Sequence, residues 1–424
     1  MIKFTLENGM RIIYKKIEGN LSSFSISLEA GANSEIEEKI GVAHMVEHMI
    51  YKGTKNRTES EINALCDELL GFNNAMTNYP YVVYYGTSLS EDFEKSIDLY
   101  SDLIINPIFP KEGFKEEKEV ICQELKEWKD DSQQFCEDQM LLHAFNNRRI
   151  KDLIIGTEES IKSISIYDVK EFYKKHYVSN NCVVSIVSSI DFQEVKNIIE
   201  RYFSCFNSKS DFGSYYTNKE SSIIYEKNNV GVYKTTKKDL QSVKIQYLFP
   251  IDSLNNKEIK ALRIFNEYFG EGTSGFLYDE IRTKRGLAYD ISTTIKNEKG
   301  IKLYKISLGT STENIDIALE IIDNKIKEVM NLVEVFSTET IKKLVKSIIL
   351  KRSLKLEKSI YESVYLANYE IMYGEENLDG KINYDYIPEL QEEINHMEDI
   401  NDEIIESVIK KILVNPTIEI LTKG

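Results

Sequence analysis

An aperiodic stretch near the middle of the chain limits the available folds more than any other feature. Residues 207–222 are rich in Ser, Asn, Lys and Gly, and neither a helical nor a strand period runs through them. On each side of this stretch the same order of patterns recurs: a strand pair, a helix, a second helix, a strand and another helix. A chain of 424 residues is also too long for one typical core. The reading is therefore two similarly built domains, 1–208 and 223–424, joined by a linker at 209–222, and the repetition suggests duplication.

The halves differ at one place that carries chemistry. Residues 41–51 read as an apolar helix opened by Gly41, with Gly53 where a left-handed cap is wanted. This helix contains His44-Met45-Val46-Glu47-His48. Positions four apart share a helix face, so the two imidazoles can bind one metal ion at about 2 Å each. Glu47 lies beside them, where a carboxylate can take a proton from a metal-activated water. The order His-x-x-Glu-His inverts the common zincin motif. Val42, Met45, Met49 and Ile50 surround the histidines and imply a half-buried site. The second half has Leu262, Phe265 and Asn266 at the matching place.

Two histidines leave a zinc site one protein ligand short. The charged helix over 111–131 offers Glu117 and Glu124, seven residues apart and sharing a face with Val120 and Ile121. A carboxylate on a partly apolar face needs a partner, which a metal supplies. Spacing alone does not choose between the two.

Composition bounds the partners. A net charge of −16 argues against general nucleic-acid binding. Five cysteines, odd in number and without a CxxC pair, fit a reducing compartment. The first residues alternate around Asn8-Gly9 like a hairpin and lack a signal-peptide core, and no apolar run has membrane-spanning length. A cytoplasmic protein with no membrane partner is expected. Residues 73–77 read as a turn before a strand at 81–89, and 337–373 as one long helical stretch. His143, His176 and His396 show no metal spacing and read as structural or surface residues.

Several runs together resemble the M16 peptidase family, specifically its short two-domain members. They are Gly41 to Met49 with Lys52-Gly53-Thr54; Gly71, Asn74-Ala75 and Thr77; and Glu117 to Val120 through Glu124. Further matches are Gly156 to Ile161, Phe172 to Tyr177, and Arg282-Thr283-Lys284-Arg285-Gly286-Leu287-Ala288-Tyr289. The resemblance implies an α+β fold of two homologous domains. Each would be a mainly antiparallel sheet with helices on one face, the pair closing like a clam. It implies one zinc per chain on His44, His48 and Glu124, with Glu117 orienting a ligand histidine or tuning the site. Glu47 would be the general base. Arg282 and Tyr289 would hold the substrate carbonyl, and Asn74, Ala75 and Thr77 would bind the peptide as an added strand. The implied activity is zinc endopeptidase action on unfolded peptides, general or dedicated to leader trimming. The implied assembly is a homodimer or a heterodimer with a sister subunit. The alternative is a non-catalytic scaffold or partner subunit. One departure is visible: many members carry His-Pro-x-Gly where this chain has Arg148-Arg149-Ile150-Lys151, which reads as a surface loop.

Overall fold

β1 (Ile2–Thr5) turns at Asn8-Gly9 to pair antiparallel with β2 (Arg11–Lys16), so the chain begins with the hairpin its alternation predicts. The computed structural model describes residues 1–35, 38–207, 223–272, 275–331, 335–374, 382–392 and 394–424, and the linker read at 209–222 lies outside these. β3 (Leu21–Leu28), β4 (Leu70–Thr77), β5 (Val82–Leu89) and β6 (Cys182–Ser188) complete a first sheet of order β1-β2-β6-β3-β5-β4. Its β2–β6 pair is parallel and every other pair antiparallel.

The second sheet uses β7 (Gly231–Lys237), β8 (Val243–Pro250), β9 (Ala288–Lys296), β10 (Leu303–Thr310) and β11 (Thr417–Lys423) in the order β7-β11-β8-β10-β9. Only β7–β11 is parallel. Sense and order thus reproduce β2-β6-β3-β5-β4 strand for strand, which is the duplication the repeated pattern suggests.

Strand alternation sends Phe24, Ile26 and Leu28 of β3 into one core. There they meet α1 (Val42–Ile50), α2 (Glu59–Leu69), α3 (Phe93–Ile105), α4 (Phe114–Asp130), α7 (Ile166–His176) and α8 (Phe192–Phe203). The second core packs α9 (Asn256–Phe269), α10 (Ile315–Met330) and α13 (Asp402–Ile412) in the same way. Two further helices, α5 (Ser132–Ala144) and α6 (Glu158–Ser163), lie between α4 and α7 in the chain.

The opposite face of each sheet is covered as well, so helices on one face account for only one layer. Ser23, Ser25 and Ser27 of β3 bond to Ser359, Ser363 and Asn368 of α12 (Ser359–Tyr373), at 2.8, 2.9 and 2.8 Å. Small hydroxyls let the helix sit close while these three serine hydroxyls keep partners. At the end of α12, buried Glu370 takes Lys3 at 2.6 Å and Arg11 at 3.2 Å. On the second sheet the cover is α5. Its Glu137 pairs with Lys296 and Lys305, and its His143 bonds to Glu419 at 2.7 Å.

The compact units follow from these covers. One is Met1–Leu125, Leu153–Ile223 and Leu354–Glu392; the other is Lys126–Asp152, Ile224–Ser353 and Glu393–Gly424. The sequence reading gives two continuous domains, 1–208 and 223–424; the units instead exchange a segment in each direction.

Three local readings also change. Residues 73–77 are not a turn but the end of β4, paired with β5. The stretch 337–373 is two helices, α11 (Thr338–Leu356) and α12. Arg148 is not on a surface loop. It is 2% exposed, donates to the carbonyls of Gly300 at 2.9 Å and Ile301 at 2.5 Å, and stacks on Phe145 and Tyr225. No described helix is long and apolar enough to cross a membrane.

Candidate metal centre

Helix α1 starts where the chain could not start it with most other residues. Gly41 holds φ 95°, and a Cβ there would lie 2.6 Å from the Ile155 carbonyl oxygen. No side chain caps the helix from its own N-cap position. Instead the buried Glu35 carboxylate accepts the N–H groups of Gly41 and Ala43 at 3.1 and 2.9 Å, placing negative charge at the positive helix end. Val42, Met45, Val46, Met49 and Ile50 bury one side of the helix, which fixes the rotation of the other.

That other side presents His44 and His48, whose ring centroids are 4.6 Å apart. Helix α4 brings Glu124 to them. His44 Nε2 is 3.6 Å from Glu124 Oε1, and His48 Nε2 is 3.4 Å from Glu124 Oε2. One donor atom from each of the three residues lies within 4.8 Å of the others. A tetrahedral site with bonds near 2 Å separates its ligand atoms by about 3.3 Å, so the set fits a zinc-sized ion. Ile121 is buried beside Glu117 and Glu124, whereas Val120 is turned outward.

The two carboxylates divide their work by position. Glu117 Oε1 bonds His48 Nδ1 at 2.8 Å, and its Oε2 meets Lys52 at 2.7 Å, which also holds Glu59 at 2.9 Å. A carboxylate on Nδ1 orients the ring and leaves Nε2 facing Glu124. Burial, then the neighbouring His48, pushes His44 down to about 4, so it is the neutral imidazole a ligand must be. Burial opposes charge on His48 too, but its bonds to Glu117 and Glu124 outweigh this and raise it to about 9. The cluster thus favours one positive charge between His48 and Glu124, a role a bound cation also fills. The bond to His48 leads in holding the Glu124 carboxyl low.

Glu47 sits between the histidines. Burial raises its carboxyl above the usual range, and a hydrogen bond from the Thr77 hydroxyl opposes that rise. Thr77 ends β4, whose outer edge pairs with no described strand. Along that edge Asn74 is exposed and Ala75 half-buried.

Arg282 and Tyr289 belong to the second unit. Arg282 lies in a single π-helical turn, Asp279–Thr283, is exposed, and donates to the Tyr278 hydroxyl. Tyr289 is the second residue of β9 and 67% exposed. Three supporting residues escaped the sequence reading: Glu35 as cap, Lys52 behind Glu117, and Thr77 as the partner of Glu47. Lys52 alone had a spacing signal, four residues after His48.

Two family profiles match the chain: one described as insulinase (peptidase family M16) over residues 11–158, and one described as peptidase M16 inactive domain over 163–345. The chain is 26% identical to an uncharacterized zinc protease of Rickettsia bellii over 371 residues, 87% of each chain. It is 28% identical over 208 residues to a probable mitochondrial-processing peptidase subunit beta of Arabidopsis thaliana, 48% of this chain and 39% of that one. A protease from Helicobacter pylori shares the fold with a TM-score of 0.84 at 18% identity, covering 99% of this chain and 98% of that one. Fold and relatives together mark a metallopeptidase family. The family is M16, and the chain belongs to it.

Proposed function

We propose that the protein is a zinc-dependent endopeptidase that cuts unfolded peptides. The observation that carries this reading is the convergence of His44, His48 and Glu124 within 4.8 Å, with the buried carboxyl of Glu47 beside them. Zinc held by these three residues, one ion per chain, would supply a Lewis acid that activates water and polarises a peptide carbonyl. Glu47 takes the proton of the attacking water and returns it to the leaving amine. A carboxyl raised by burial is suited to both steps. Thr77 keeps Glu47 aimed while it does so. The open edge of β4 takes the peptide as an additional strand, binding backbone over Asn74, Ala75 and Thr77 with little demand on side chains. Arg282 and Tyr289 are assigned to the substrate carbonyl and its developing oxyanion; the support is their chemistry and exposure. The protein works as a homodimer, or as a heterodimer with a sister subunit, in the cytoplasm. Five free cysteines suit that compartment.

The test is mass-spectrometric. Zinc-loaded protein is mixed with unstructured peptides, with and without a chelator. Chelator-sensitive cuts are expected. Bound zinc without cuts would transfer the activity to a complex with a partner subunit. Neither zinc nor cuts would leave the scaffold reading.

A further inference from the structure

Glu117 can orient His48 only if Glu117 is itself held. Its side chain reaches out from α4 on rotatable bonds, and a carboxylate free to turn would share its bonds with water. Here the two oxygens have separate partners. Oε1 bonds His48 Nδ1 at 2.8 Å and Oε2 meets the Lys52 ammonium at 2.7 Å, so the plane of the carboxylate is defined. The Lys52 side chain is 25% exposed and also bonds Glu59, the first residue of α2, at 2.9 Å.

The loop between α1 and α2 fixes Lys52 in turn. The Lys52 N–H donates to the Met49 carbonyl at 3.3 Å, and Gly53 follows at φ 124°, a left-handed angle that ends the helix there. Thr54 Oγ1 accepts the N–H groups of Asn56 and Arg57 at 3.1 and 2.9 Å and donates to Asp102 of α3 at 2.6 Å. Asp102 is 4% exposed and takes three further donors: Asn56 at 2.6 Å, Arg57 at 2.7 Å and Asn106 at 2.9 Å. A buried carboxylate with four donors is a rigid anchor. These bonds clip the loop, and with it the backbone of Lys52, to α3 without any help from α4.

A chain of contacts thus runs from a clipped loop through Lys52 and Glu117 to the outer nitrogen of His48. We infer that Lys52 is a positioning residue of the metal centre: it locks Glu117 in the orientation that bonds His48, and through that ring it strengthens the hold of His44, His48 and Glu124 on a metal ion. Two effects of the lysine oppose each other. Its charge repels a metal ion, but the ammonium is partly exposed, faces Glu117 and Glu59, and is screened. An oriented ligand histidine is worth about 10–100-fold in affinity. The hold on Glu117 therefore wins. The inference rests on the proposed metal ligands and not on the proposed peptide chemistry.

The experiment reads zinc affinity, not turnover. Full-length protein is freed of metal and titrated with zinc against a chromophoric chelator. Lys52→Met is expected to bind zinc about tenfold more weakly than wild type, and Lys52→Arg to recover most of the loss. In a Glu117→Gln background the same Lys52→Met change should alter affinity by less than about twofold, because the residue through which it acts is already gone. Far-UV circular dichroism of the metal-free proteins reports the fold, and Lys52→Leu takes the place of Lys52→Met if that variant does not fold. Unchanged or tighter zinc binding without the lysine overturns the inference, since Lys52 would then act only as a repelling charge or a surface clip. An equal loss in both backgrounds overturns it too. A wild type that binds no zinc overturns it together with the metal assignment. If zinc binding follows the expected pattern while the loaded wild type cuts no peptide, the proposed chemistry fails and the role of Lys52 stands.

Discussion

The Thr77 hydroxyl donates to a carboxylate oxygen of Glu47, tying the last residue of an open-edged strand to the acid between two histidines. The strand that would carry substrate and the group that would move the proton are thereby held in one geometry.

Breaking that tie should damage turnover more than binding. Thr77→Val keeps the side-chain volume and removes the donor. It is expected to lower kcat by about tenfold or more with KM changed by less than about threefold, and Thr77→Ser should recover most of the loss. Steady-state kinetics on an internally quenched peptide decide it; a change confined to KM would instead make the Thr77 hydroxyl a substrate contact in addition to its backbone, and not the tie that aims Glu47.

Glu47 is assigned the proton, not the metal. Glu47→Gln should therefore retain one zinc per chain by elemental analysis while cleavage falls by at least about 100-fold. Full activity in this variant would sink the mechanism.

Glu117 touches His48 on the nitrogen turned away from Glu124, so its loss should loosen the site without removing a ligand. Glu117→Gln is expected to weaken zinc binding by about 10–100-fold in a competition titration with a chromophoric chelator. Unchanged affinity would mean that packing alone orients the ring.

Acid should weaken the turn that carries Arg282. Lys284 first, then Arg285 and Lys325, hold the Glu280 carboxyl down at about 2. On acidification the unfolded chain takes up this proton before the folded one does. The contribution is fully present above about pH 4.5 and lost as pH falls through about 2. Allowing for screening by water, it is about 1–2 kcal/mol. Urea midpoints of Glu280→Gln and wild type should differ at pH 7 and converge near pH 2; a constant gap would argue against this linkage.

The histidine helix was legible because its signals are local: a four-residue spacing, an apolar flank and glycines at both ends. Spacing alone left the third ligand open, since Glu117 and Glu124 share one helix face; the family resemblance pointed to Glu124, and the approach of α4 brings that residue near both imidazoles. The 73–77 segment looked like a turn because its asparagines have turn chemistry and an edge strand needs little alternation. Helix α5 was hard to read because its buried Cys136, Met140, Leu141 and Ala144 are interleaved with Glu137, Asp138 and His143, and the first and last of these meet charged strand residues. Arg148 looked solvent-bound for the same reason: its partners are carbonyls about 150 positions away, which no local pattern records.

The exchange of α5 and α12 has a genetic consequence. A gene severed at its midpoint would give two products, each with a bare sheet face whose cover is encoded on the other piece. Complementation between such fragments would require them to be made together. A lesion in Ser359–Tyr373, deep in the second half, would be felt by β3 and β6 of the sheet beneath the histidine helix. On a linear mutation map it would lie far from the fault it causes.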